Sequence, residues 1–206
     1  MNTSGVGSSL PIDISQAIAS GDIQTLIQMV QGERVRLLDT QLVDQVKAVQ
    51  ARNDQIAKLN NVLSALTKFQ GAISGTDAGS KVKDWNWDKV DQYEIPLNDA
   101  IQEAGISDIG FTGNGRVTPG PGQSVDDGHG HVIKGQKNTC NGGTTKGQID
   151  AAITKVKGLI DAESNNQQMD MLRLQSLNNK KNESIEILTN TQKKHTDGNS
   201  NIIRNI

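Results

Sequence analysis

The stretch Asp22–Phe69, DIQTLIQMVQGERVRLLDTQLVDQVKAVQARNDQIAKLNNVLSALTKF, decides the fold. Apolar side chains stand at Val35, Leu38, Leu42, Val49, Ile56, Leu59, Leu63 and Leu66, and Gln45 and Arg52 fill two places in the same series. The steps alternate between three and four residues, the spacing that keeps one seam of an α-helix turned toward a partner helix. Gly21-Asp22 supplies a turn and an N-cap, and from there no proline appears before Pro96. Gly32 is a mild interruption, costing about 1 kcal/mol relative to alanine. At 1.5 Å per residue the predicted helix is about 70 Å long. A single helix of that length cannot bury its own stripe, so the pattern demands a partner.

A partner stands at the other end of the chain. Gln148–Thr196 contains no proline and one interior glycine, Gly158. Ile149, Ile153, Val156 and Ile160 make a clear helical stripe, which Met169, Leu172, Leu174, Leu177, Ile185 and Leu188 continue less strictly among Asn, Gln and Ser. So polar a stripe belongs to a packing strut rather than to a helix enclosed by a core. Gly198-Asn199-Ser200 reads as a break, after which Ile202, Ile203 and Ile206 form an apolar tail suited to a partner surface.

The middle of the chain has another character. GAISGTDAGS, Gly71–Ser80, reads as a flexible linker. Trp85 and Trp87 alternate as extended residues do, and are expected to pin a small subdomain onto the long helices. Pro96 opens and Gly105 closes a short helix with Leu97, Ala100 and Ile101 on one face. Gly105–Gly147 carries 12 of the 21 glycines. It reads as an exposed loop or a β-hairpin insertion, with β-type runs at Gly115–Thr118 and His131–Lys134.

The predicted fold is mainly α: two long terminal helices in an antiparallel, coiled-coil-like pair, with a small glycine-rich α/β insertion domain between them. Four regions follow: 1–20, polar and unpatterned; 21–70, the first long helix; 71–147, a central, surface-exposed domain; and 148–206, the second long helix with an assembly tail.

Composition narrows the function. Aromatic residues make up 2% of the 206, which suits thin helical packing more than a thick core. With 21 basic against 23 acidic residues the net charge is −2, without the basic stripe of a nucleic-acid binder. No apolar run reaches the roughly 18–20 residues of a membrane span. The single cysteine, Cys140, forms no disulfide within the chain and reads as an ordinary loop thiol.

Candidate chemistry is thin. His129 and His131, near Asp126, Asp127 and Cys140, lack the paired ligand spacing of a zinc site, and His195 stands far off in sequence. The run DDGHGH reads as a solvated turn. Gly113, Gly115 and Gly120 do not have the spacing of a phosphate loop, and no G-x-S-x-G elbow is present. No catalytic residue, metal or cofactor is expected. The helical stripes remain, and their functional reading is assembly.

Four segments carry a resemblance. QQMDMLRLQSLNNKKNESIEILTNTQKK (Gln167–Lys194), NIIRNI (Asn201–Ile206), DIQTLIQMVQGERVRLLDTQ (Asp22–Gln41) and EIPLNDAIQEAGIS (Glu94–Ser107) together resemble, in the same order, the Bordetella-type family of type III secretion tip-complex filament proteins. That family is functionally related to EspA filament subunits and LcrV-type needle-tip proteins. From about Phe111 to Gly143 there is no match.

The resemblance implies a secreted, non-enzymatic subunit at the needle tip on the bacterial surface. It implies homopolymerisation into a conduit, contacts with needle and translocator proteins, and a cytoplasmic export chaperone. Region 1–20 then reads as a disordered, uncleaved export region, since it lacks the basic and apolar segments of a cleavable signal. A needle-tip ring is the alternative within this class. An intracellular coiled-coil adaptor, or a chaperone-bound module, is the alternative outside it.

Overall fold

A computed structural model of the chain describes residues 23–111, 124–126, 132–134 and 140–204. The protein is mainly helical, and its two long helices pack together. Helix α1 spans Ile23–Ala72 without interruption at Gly32. Helix α2, Trp87–Lys89, runs into a π-helical turn, Val90–Glu94, and then into α3, Ile95–Glu103. Helix α4 spans Lys146–Arg204.

Local chemistry explains these boundaries and corrects several expectations. Trp87 is helical rather than extended, because the Asn86 side chain accepts the Lys89 amide at 3.1 Å and caps a new turn. Pro96 stands in the first turn of its helix as expected, one residue after the helix begins at Ile95. The preceding π-turn feeds into α3, and the proline's missing N–H is not needed there. Gly105 does close it: with φ at 68°, its amide and that of Ile106 return to the carbonyls of Gln102 and Ile101.

Helix α4 begins with a capping box. The Gln148 amide donates to Thr145 Oγ1 at 3.3 Å, and the Thr145 amide donates to Gln148 Oε1 at 2.9 Å. The expected break at Gly198-Asn199-Ser200 does not occur. One exposed glycine costs only about 1 kcal/mol, and α4 continues to Arg204.

The short strands β1, Ser124–Asp126, and β2, Val132–Lys134, pair antiparallel with Val125 opposite Ile133. A hairpin was expected, but with its first strand at Gly115–Thr118, which lies outside the described residues. Among the described residues no larger α/β insertion surrounds this hairpin.

The fold divides into two compact units. One comprises the described residues up to Ala48 and from Asp170 onward; the other is Val49–Met169. The second unit holds the main core. Leu59, Val62, Leu66 and Phe69 of α1, Leu97 and Ile101 of α3, Ile149, Ala152 and Val156 of α4, and Ile109, Phe111 and Cys140 from the connections are all buried together. Val62 and Phe69 widen the seam of α1 into a face broad enough to take α3 as well as α4.

The ends of the glycine-rich segment are therefore core, not exposed loop. Asn98 holds the chain at Cys140 in both directions, accepting its amide at 2.9 Å and donating to its carbonyl at 3.2 Å. Cys140 is fully buried, which corrects its reading as a loop thiol. Trp85 packs on Phe69, ring centres 5.8 Å apart, and lies against Gly142. The linker Gly71–Ser80 is also tied down: the carbonyls of Ala78 and Ser80 accept the amides of Gly147 and Lys146 at 2.8 and 2.7 Å.

In the first unit the packing is thinner. Leu38 is its one buried apolar residue among the described residues, alongside the buried polar residues Gln45, Asp170 and Ser184.

Candidate helix seam and exposed apolar stripe

The expected seam of α1 faces inward along its length. Leu38, Gln45, Leu59 and Leu66 are buried, and Val35, Leu42, Val49, Arg52, Ile56 and Leu63 are half-buried. The two polar members are matched across the seam. In the first unit Gln45 Nε2 donates to the Asp170 carbonyl oxygen at 3.2 Å and to its carboxylate at 3.1 Å. In the second unit Arg52 Nη1 lies 2.5 Å from Glu163 Oε2.

The pairings run in opposite directions along the two helices. In the first unit Gly32 faces Leu188, Asp39 pairs with Lys181 at 2.5 Å, and Gln45 meets Asp170. In the second unit Arg52 pairs with Glu163, Asn53 with Gln167, and Gln70 with Asp150 at 2.5 Å. Numbers rise on α1 as they fall on α4 in both units, so the pair is antiparallel in each.

The seam of α4 differs from the stripe that hydrophobicity suggests. Its inward positions are Ile153, Val156, Ile160, Glu163, Gln167, Asp170, Leu174, Leu177, Lys181, Ser184 and Leu188, each buried or half-buried and three or four residues after the last. Five of the eleven are polar, and Glu163, Gln167, Asp170 and Lys181 meet polar partners on α1. Met169, Leu172 and Ile185 are 66%, 60% and 40% exposed. Continuing the 3,4 ruler from Ile153 through the polar residues finds the whole seam; counting apolar residues finds Leu174, Leu177 and Leu188 but adds the exposed Met169, Leu172 and Ile185.

A second apolar line runs down α1. Ile23, Ile27, Val30 and Leu37 are exposed, at 69%, 38%, 56% and 48%, and recur at helical spacing with Arg34 among them. Seven-residue steps from Ile27 pass Arg34, Gln41 and Ala48 to reach Gln55, Val62 and Phe69. In the second unit that heptad position is covered: Val62 and Phe69 are fully buried, and Gln55 Nε2 donates to the Ala104 carbonyl at the end of α3 at 2.8 Å. In the first unit Ile27 is exposed, with Ile23, Val30 and Leu37 beside it.

Ile202 and Ile203 fall within the helical span of α4, but their side chains lie outside the described residues, as does all of Ile206. So do His129, His131, Asp127, Gly113, Gly115, Gly120 and region 1–20.

Hydrogen bonds from Lys146 and Gln70 hold the Asp150 carboxyl below its usual range, and Arg36 does the same for the exposed Glu33. Burial, with the nearby Glu94 charge adding to it, pushes the Cys140 thiol well above its usual range, so it is a protonated core residue at neutral pH. Among the described residues no three His, Cys, Asp or Glu side chains converge on a metal position, and no helix is long and apolar enough to cross a membrane.

No protein-family model, curated protein or solved structure matches the chain. The functional reading therefore rests on the two helices and on the resemblance of the quoted segments.

Proposed function

We propose that this chain is a secreted structural subunit of a bacterial type III secretion system. It self-assembles into an extracellular filament at the needle tip, a conduit for translocators and effectors. The observation that carries assembly is the exposed apolar line Ile23, Ile27, Val30 and Leu37 on a helix whose seam is already occupied. Burying one such side chain contributes about 1.5–3 kcal/mol. A repeated contact that covers several of them on every subunit is strong enough to hold a polymer. Met169, Leu172 and Ile185 offer further apolar surface on α4.

In this reading the antiparallel pair is the packing element of the filament, and Ile202, Ile203 and Ile206 add to the subunit contacts. No catalytic group takes part. The resemblance supplies secretion, the needle and translocator partners, the export chaperone and the cell-surface location; the helical surface supplies assembly. Electron microscopy of the purified protein at rising concentration tests the reading. Filaments support it, closed rings support the needle-tip alternative, and a chain that stays monomeric at every concentration favours the intracellular adaptor.

A further inference from the structure

The two units are held by different chemistry. In the second, apolar side chains from α1, α3, α4 and the connections enclose one another in a single cluster that includes Leu59, Phe69, Leu97, Phe111 and Val156. In the first, two helices meet along one seam. Among its described residues, Leu38 is the only buried apolar side chain, and Gln45, Asp170 and Ser184 share the interior. The Gln45–Asp170 hydrogen bonds fix the register, since a one-position slip strands both groups. They add little cohesion, because water satisfies the same groups when the helices part. The Lys181–Asp39 pair is partly exposed and is likewise replaced by water.

We propose that α1 and α4 separate in the first unit while the second unit stays folded, so that this part of the helix pair is a zipper. Local opening free energies follow the density of buried apolar contacts, and the first unit lies at the low end of that range. Opening uncovers Val35, Leu38, Leu42, Leu174, Leu177 and Leu188. The zipper is a property of the folded monomer and holds whether or not the chain is secreted.

Hydrogen exchange of the full chain, read by mass spectrometry at a concentration where it is monomeric, tests this. Amides of residues 31–45 and 174–191 are expected to exchange at least about 100-fold faster than those of 59–69 and 149–156, the separation two independent openings produce. Equal rates in both sets, showing one cooperative opening, overturn the proposal.

Two variants sharpen the test. Leu38→Ala is expected to speed exchange in the first set roughly tenfold or more and to leave the second set unchanged. The pair Gln45→Leu with Asp170→Leu, which makes the seam apolar, is expected to slow the first set alone by about tenfold or more. If either change moves both sets together, the units are coupled and the zipper is refuted.

Discussion

Replacing Phe69 with alanine removes the side chain around which the second unit is organised. Phe69 is fully buried, with the Trp85 ring centre 5.8 Å away and the Tyr93 ring 6.0 Å away in an edge-on arrangement. A Phe→Ala change in a packed core costs about 3–5 kcal/mol. Two aromatic partners, each contributing about 0.5–1.5 kcal/mol beyond burial, place this site toward the upper end, about 4–5 kcal/mol. For a chain of this size each kcal/mol lowers Tm by about 2–4 °C, so the expected loss is about 8–20 °C. Urea unfolding followed by tryptophan fluorescence reads the same change, because Trp85 reports on the site directly. A loss under about 1 kcal/mol, within the range of ordinary substitutions, refutes the core described here.

Two further substitutions probe the same unit. At Gly142 an added Cβ would lie 2.5 Å from Cγ of the Trp85 indole, so Gly142→Ala forces the ring to shift. It is expected to destabilise by about 1–3 kcal/mol and to change the native fluorescence spectrum. The buried Cys140 thiol has its proton held well above the usual 9.0. The unfolded chain therefore loses that proton first, so stability is full below pH 9.0 and falls as pH rises beyond it. Thermal melts of wild type and Cys140→Ala across alkaline pH check this, and an unchanged alkaline slope in the variant contradicts it.

The seam of α1 was legible in the sequence because its apolar residues keep the 3,4 rhythm, and even Gln45 and Arg52 could be placed in it by spacing alone. The seam of α4 was legible as far as Ile160 and again at Leu174, Leu177 and Leu188. Between and beyond these, Glu163, Gln167, Asp170 and Lys181 take inward positions because their cross-seam partners on α1 are polar too, and Ser184 does so with its hydroxyl donating to the Lys180 carbonyl of its own helix. Hydrophobicity then points outward, to Met169, Leu172 and Ile185.

Cys140 could not be placed in the core from sequence, since its burial depends on Asn98, 42 residues away. Nor does any local pattern announce the π-turn at Val90–Glu94, in which Val90 and Glu94 are buried and Tyr93 lies against the core. The apolar line Ile23, Ile27, Val30 and Leu37 is visible in the sequence, but its exposure is not, because the same heptad position at Val62 and Phe69 is buried.

Assembly through that line is the central claim, and sedimentation across a wide concentration range, with circular dichroism alongside, tests it most directly. The wild-type chain is expected to pass from monomer to large polymer as concentration rises. Ile27→Asp together with Val30→Asp should remain monomeric with unchanged helicity, since both side chains are exposed and outside the seam. Polymers of undiminished size from the double variant, or a wild-type chain that remains monomeric throughout, contradict the account.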